Sequence, residues 1–461
     1  LDYYEIRSRA SKLIPRWNQF LPNEEKKGAV KEKGRKSNYH QFHLERGKWE
    51  KRERLLNTEE INSFLEISLR AQACPMPLNL DTWDGLLCPF LCKYCYADAF
   101  RASLYTSFFD NSKSVGLRHC NPDFYRRELD KLFKLRGTDV HQLQGVRKAV
   151  AMEIPIRFGI RFEDFHGVEG KRGISLAMLQ YLSENAYPIM INTKSGLVGR
   201  EDYVRALASN PAGSAVHITM ISSQEDLLKR IEPGAPPFSQ RLEAAKNLAD
   251  GGVRVVARIE PFLVFQTDHP DDVEEYCEKT WEAGIRHITF DTYSYSASNP
   301  GIRNNFIKLG IDYDRMFLLG CDSQGVGSLL LESFMKIFRA KGFSCSTFDL
   351  GCVPNNDQAI CCEVGDWFKG GFNWGSIVGA IRLIRDRGLT PTSWVDFENW
   401  VEERGGFLTP QLKLSVHELW NVQGNDAYSV VWGQGIVPAG WNDSGIIWQY
   451  REGEDFRKDM V

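Results

Sequence analysis

From about residue 75 onward the chain alternates short apolar runs with amphipathic stretches, and this rhythm limits its fold more than any other feature. The apolar runs are PLNL (77–80), AMEIPIRFGI (151–160), PIMINTK (188–194), HITMI (217–221), VRVVARIEPFLV (253–264) and HITFDTY (287–293). Between them lie ISLAMLQYLSENA, with Ile174, Ala177, Met178, Tyr181 and Leu182 on one helical face, and PFSQRLEAAKNLADGG, with Phe238, Leu242, Ala245 and Leu248 at helix spacing. Gly251 and Gly252 supply a helix stop. DDVEEYCEKTWEAGI reads as a further helix. Strands that are apolar on both faces and are separated by helices imply a parallel sheet covered by helices. An α/β fold of about six such units follows. Both a doubly wound sheet and a complete or partial barrel satisfy the rhythm, and both place chemistry at the carboxyl ends of strands.

The chain of 461 residues is 43% hydrophobic and 25% charged, enough for one large α/β domain with smaller additions. Residues 1–70 are expected to form a polar, basic N-terminal extension, 71–330 the α/β domain and 331–461 a C-terminal extension. INSFLEISLRA, from Ile61, reads as a helix through Ile61, Phe64, Leu65 and Leu69. Residues 26–54 hold eleven Lys or Arg against four Glu, which suits either a phosphate-tracking arm or a solvated basic arm. No run approaches eighteen apolar residues, so no membrane span is expected. The start, LDYYEIRSRA, lacks the order of a secretory signal. A cytoplasmic protein whose eleven cysteines serve metal or chemistry, not disulfides, is the reading.

Three of those cysteines crowd into CPFLCKYCY, residues 88–96, directly after the first apolar run. Cys88, Cys92 and Cys95 are spaced C-x3-C-x2-C. A zinc site needs a fourth ligand, for which Cys120 or His119 is available. A thioredoxin-like pair leaves Cys88 without a role. A [4Fe–4S] cluster on three thiolates leaves one iron open to a small ligand.

CPFLCKYCY resembles the signature of the radical S-adenosylmethionine (SAM) enzymes. The resemblance implies a partial (β/α)6 barrel and a [4Fe–4S] cluster whose open iron chelates the amino and carboxylate groups of SAM. It also implies a reducing partner such as flavodoxin or ferredoxin, and a 5'-deoxyadenosyl radical. Tyr94 stands where the family places an aromatic residue beside the adenine. NTKSGLVGREDYVRAL and the segment from His217 to Phe262 are similar to the spore photoproduct lyase-like branch, over about residues 78–295. On that similarity Lys194 is expected near the SAM carboxylate. Thr219, Ser222, Glu232 and Arg258 are expected to bind the cofactor, against alternatives of turn bonds for Thr219 and Ser222 and ion pairs for Glu232 and Arg258.

RFGIRFEDFHGVEGKRG departs from the branch pattern: Asp164 matches, but Glu163 and His166 replace a hydroxyl residue and a tyrosine, and Glu169 falls one position early. Asp164 and His166 are candidate catalytic residues, His166 as acid or base or as a partner of Asp164. No cysteine lies between 121 and 276, so repair by a cysteine hydrogen donor is not expected, and Tyr293 or Tyr295 is the alternative donor. Cys345, Cys352, Cys361 and Cys362 suggest a second metal site, an auxiliary iron–sulfur cluster or zinc, or else buried thiols. The expected function is SAM cleavage followed by hydrogen abstraction from a substrate C–H. The substrate is a nucleic-acid base or nucleotide, with Trp367, Trp374 and Trp400 as stacking candidates, or else a small metabolite or amino acid. A zinc-stabilised, non-catalytic binding protein is the alternative of another class.

Overall fold

A computed structural model describes residues 2–12, 58–61, 67–69, 74–85, 88–95, 117–160, 162–292, 300–320, 326–347, 371–406 and 435–453, with single positions between 357 and 368 and between 408 and 421. Thirteen strands are numbered here in chain order. β1 is Thr58–Ile61, β2 Ile67–Leu69, β3 Leu78–Leu80, β4 Trp83–Asp84 and β5 Leu117–Cys120. β6 is Ile156–Phe158, β7 Ile189–Thr193, β8 Ser214–Thr219 and β9 Arg254–Phe262. β10 is His287–Thr292, β11 Ser344–Thr347, β12 Ile436–Asn442 and β13 Gly445–Tyr450.

Among the described residues the main sheet runs β11-β10-β9-β8-β7-β6-β3-β2, parallel from β3 to β11 and antiparallel only at β2. The seven parallel strands lie in sequence order. A doubly wound sheet would reverse direction at a switch point; an unbroken order curls one way, as crossovers of one hand require. The fold is therefore a partial barrel, with β2 and β11 at its edges. It has seven parallel strands where six units were expected, and the seventh, β11, extends the sheet past residue 330.

Side chains alternate across each strand. Ile189 and Ile191, Val216 and Ile218, and Val255 and Ala257 pack outward with the helices in the main core. Helices Ile174–Glu184 and Phe238–Asp250 cover that face, as their apolar stripes predict. The other face looks into the barrel. Its amino-terminal end is closed by a separate apolar cluster of Cys74, Met76, Met190, Ala215, Cys362 and Phe368. The segment after Cys362 is tied there by Trp367 Nε1 to Ser214 O (2.6 Å), Gly371 N to Met152 O (2.8 Å) and Asn373 N to Pro75 O (2.8 Å).

Ile67–Leu69 is a strand, which corrects the expected helix from Ile61. Its residues pair with Leu78–Leu80, and that tertiary pairing overrides a helical spacing that a short apolar run also satisfies. Beyond the barrel, helices Ile377–Arg387 and Trp394–Glu403 and the β12–β13 hairpin share their own core, which includes Trp394, Trp420 and Trp448. No described helix is long and apolar enough to cross a membrane. The basic stretch 26–54 lies outside the described residues.

Candidate active site

The three-cysteine loop leaves the carboxyl end of the barrel just after β3 and β4. Two turns shape it, closed by Leu91 N to Cys88 O (3.2 Å) and Cys95 N to Cys92 O (3.3 Å), and Leu91 takes a left-handed φ of 52°. The loop is stitched to the segment after β8 by Lys93 N to Ile231 O (2.7 Å) and Gly234 N to Phe90 O (3.0 Å). Gly234 permits this approach: a Cβ there would lie 2.1 Å from Pro89 O.

Around the loop stand Tyr94, Lys194, Glu232 and Arg241. The Tyr94 hydroxyl donates to Glu232, and the Lys194 ammonium lies 5.5 Å from the centroid of the Tyr94 ring. Glu232 and Arg241 form an ion pair at 2.5 Å whose side chains have no exposure. Arg241 also donates from Nη1 to Thr219 O (2.9 Å) and from Nε to Pro236 O (2.8 Å), tying its helix to the end of β8. Burial pushes the Cys92 thiol well up, opposed by the charge of Lys194 and reinforced by Glu232, Cys95 and Cys88. Burial works against the Lys194 charge, but Cys92 and Glu232 offset it and raise its proton affinity. A cation thus stands among three thiols that metal binding would ionise. Among the described residues no three His, Cys, Asp or Glu side chains gather as the ligands of a single ion do. A cluster instead spreads its thiolates over separate irons, which suits three thiols on one wrapping loop.

The segment after β6 is a scaffold of buried carboxylates. Asp164 accepts from Thr82 N (3.2 Å), Thr82 Oγ1 (3.0 Å), Trp83 N (3.0 Å) and Gly159 N (2.8 Å). Burial first, then the charge of Asp81, pushes its pKa well up. Glu163 accepts from Thr193 Oγ1 (2.7 Å), Lys194 N (3.0 Å) and Phe165 N (3.1 Å), so it fixes the backbone that presents Lys194. Glu169 accepts from Trp83 Nε1 and Tyr203 OH, both at 2.7 Å, and from Leu176 N at 3.0 Å. His166 is not bonded to Asp164. Its Nδ1 accepts from Val168 N (3.2 Å), its ring meets Trp83 edge-on at 4.6 Å, and its Nε2 is buried with no partner. Burial lowers its pKa to about 3, so the ring is neutral.

The other expected site residues fall as follows. Ser222 Oγ accepts from Gln224 N (3.0 Å), a turn bond, and Arg258 pairs with Glu260. Thr219 ends β8, with its carbonyl held by Arg241. Tyr293 and Tyr295 lie outside the described residues, as do Cys352 and Cys361. Cys345 and Cys362 are not brought together. Cys345 packs in the main core with its thiol on Met335 O (3.7 Å), whereas Cys362 belongs to the cluster at the barrel floor. Cys120 also packs in the main core, and His119 Nδ1 lies 2.9 Å from Cys120 O. Trp374 and Trp400 are packed near one another, ring centroids 6.2 Å apart, and the Trp367 indole is anchored to β8.

The alternative reading of Glu232 as an ion pair, with Arg230 or Arg241, is the one the structure shows, and the partner is Arg241. Its signal was a charged residue on the apolar stripe between Phe238 and Ala245, a position that only a buried partner explains.

Residues 85–280, a little under half of the chain, match the family model "Radical SAM superfamily". No curated protein matches the chain. Among solved structures, spore photoproduct lyase complexed with dinucleoside spore photoproduct is 16% identical, with a TM-score of 0.42, covering 62% of this chain and 78% of that one. A variant of that lyase with bound AdoMet and the same dinucleoside is 16% identical, with a TM-score of 0.43, over 62% and 79%. SuiB of Streptococcus suis bound to S-adenosylmethionine is 12% identical, with a TM-score of 0.37, over 60% and 50%. The matched segment begins just before the cysteine loop and takes in the strands around it, so residues 85–280 of this chain are similar to the radical SAM superfamily.

Proposed function

We propose that Cys88, Cys92 and Cys95 hold a [4Fe–4S] cluster that binds SAM, and that the enzyme abstracts hydrogen from a substrate C–H. The observation that carries this reading is the single buried constellation of Cys92, Lys194, Tyr94 and Glu232 behind a C-x3-C-x2-C loop. Cys88, Cys92 and Cys95 would hold such a cluster, which would supply one-electron reduction of SAM with a flavodoxin or ferredoxin as the electron source. Lys194 offers a fixed cation to the carboxylate end of SAM. Its backbone is set by Glu163, and its charge is favoured by Glu232. Tyr94 is held by Glu232 as an apolar wall with a tethered hydroxyl. Thr219 at the end of β8 is in register with Arg258 in the middle of β9, and the two complete the cofactor side of the barrel mouth. Asp164 and His166 serve as positioning residues: Asp164 ties Gly159 to Thr82 and Trp83, and His166 packs against Trp83. Such a closed, polar-anchored pocket limits solvent access to a reactive radical.

For the substrate, a nucleotide or nucleobase remains the reading drawn from the family branch, with a small metabolite or amino acid as the second. Of the stacking candidates, Trp374 and Trp400 are partly buried against packed clusters, whereas Trp367 is 39% exposed. Anaerobic reconstitution followed by dithionite and SAM tests the reading. It is expected to yield 5'-deoxyadenosine, and Cys92→Ala to abolish it. A colourless, zinc-loaded protein without iron, or full activity in Cys92→Ala, would overturn the assignment.

A further inference from the structure

The inner face of the barrel is polar where a small barrel is ordinarily filled by aliphatic side chains. Strand alternation places Arg157 on β6, Asn192 on β7, His217 on β8 and Arg254 and Arg258 on β9 on this face, opposite the residues that pack against the helices. Asn192 and His217 are direct register partners. Both are buried, at 4% and 1% exposure. Among the described residues, Asn192 Oδ1 and His217 Nε2 have no hydrogen-bond partner. The neighbouring His287 shows the contrast: both of its ring nitrogens are met, by Ser344 Oγ (3.0 Å) and Ser346 Oγ (2.8 Å). Arg157 is 8% exposed, and its bonds go to Asn79 Oδ1 (3.0 Å) and Cys74 Sγ (3.7 Å), neither of them a carboxylate.

A buried guanidinium without a counter-charge and two buried orphan polar atoms are each unfavourable alone. Together on one face they describe a site waiting for a complementary group. The charges that bear most on His217 are cationic. After burial, the charges of Arg258, His287, Arg157 and Arg254 all act to keep His217 neutral. Glu260 answers Arg258 at the mouth. The apolar cluster at the amino-terminal end closes the floor beneath them.

We infer that Arg157, Asn192 and His217 form a blind subsite inside the barrel that takes the oxyanion end of the substrate, a carboxylate or a phosphate, with a neighbouring N–H or O–H of the same molecule donating to Asn192. Asn192 and His217 lie about 7 Å, two strand residues, below Lys194 and Thr219, and Arg157, in register with Met190, lies one layer deeper. A substrate anchored there by its charged end presents its next atoms toward the cofactor side. This assignment rests on the reading of the mouth as the SAM site.

The test uses the reconstituted enzyme with SAM. Its unfolding temperature is followed while inorganic phosphate or acetate is titrated against chloride at constant ionic strength. A saturable rise is expected with at least one of them: phosphate alone assigns a phosphate ester, acetate alone a carboxylate. Arg157→Gln should weaken that binding at least tenfold. Asn192→Asp, isosteric but of the wrong charge, should do the same, so the result does not hang on one variant folding. No saturable rise with either anion, or unchanged binding in both variants, overturns the subsite. Formation of 5'-deoxyadenosine is measured in parallel. Anion binding without it refutes the SAM reading and leaves the subsite standing, and the converse refutes the subsite alone.

Discussion

Arg241 ties together the residues of the proposed cofactor pocket. Its guanidinium holds Glu232 at 2.5 Å, Thr219 O at 2.9 Å and Pro236 O at 2.8 Å, and Glu232 in turn holds Tyr94 of the cysteine loop. Neither charged side chain is exposed. Arg241→Met keeps the length and apolar stem but strands the Glu232 carboxylate. Breaking one side of a buried pair costs about 3–5 kcal/mol. Glu232→Leu strands the guanidinium instead, at a similar cost. The double variant removes both charges. It should therefore cost less than the sum of the single changes, by about 2–3 kcal/mol of coupling. Urea unfolding followed by tryptophan fluorescence measures all three. Iron bound after reconstitution should fall in each single variant, because Tyr94 and the loop lose their anchor. Single costs that add to within about 0.5 kcal/mol would refute the claim that the pair acts as one unit.

Gly234→Ala should reduce iron retention without preventing folding, since the added Cβ meets Pro89 O at 2.1 Å and must push the cysteine loop away; iron content equal to wild type would show that the contact is not needed. His166 has a folded pKa of about 3 against an unfolded value near 6.5, so the unfolded chain takes up the proton first and stability falls as pH drops below about 6.5. Between pH 7 and pH 5 this amounts to about 2 kcal/mol, and His166→Phe should flatten the slope of urea-measured stability by that amount; an unchanged slope would contradict the buried neutral ring. Changing Cys88, Cys92 and Cys95 together to Ala should remove essentially all iron, because Cys345 and Cys362 sit in separate packed clusters; about four irons remaining per chain would instead establish an auxiliary cluster.

What was legible in the sequence depended on whether the physics was local. β3, β7 and β10 announce themselves as apolar runs, and the loop after β3 announces its thiols. β11 does not: SCST has no apolar run, because Cys345 shares its face only with Thr347 while Ser344 and Ser346 face His287. Barrel and doubly wound sheet share one rhythm, and only the spatial order of strands separates them. Glu163 looked like a departure and Asp164 like a match at a reacting centre, yet both carboxylates are filled by the chain's own donors. Those donors come from Thr82, Trp83, Gly159, Thr193 and Lys194, far apart in sequence, so no spacing could reveal them.

That division of labour has a further consequence. The buried acids around the mouth, Glu163, Asp164, Glu169 and Glu232, are each committed to backbone N–H groups, hydroxyls, an indole or Arg241. Acids committed in this way hold loops at strand ends, where backbone donors would otherwise be orphaned. The cations are treated differently. Among the described residues neither Lys194 nor Arg157 has a carboxylate at ion-pair distance. One stands at the mouth beside the thiols and the other at the floor of the inner face. An interior that spends its acids on scaffolding and leaves two cations unmatched at different depths is arranged for two anionic groups. The carboxylate of SAM suits the upper cation, and the oxyanion of a substrate suits the lower. On the proposed subsite a neutral substrate would leave Arg157 uncompensated, so an anionic substrate is the one expected to bind.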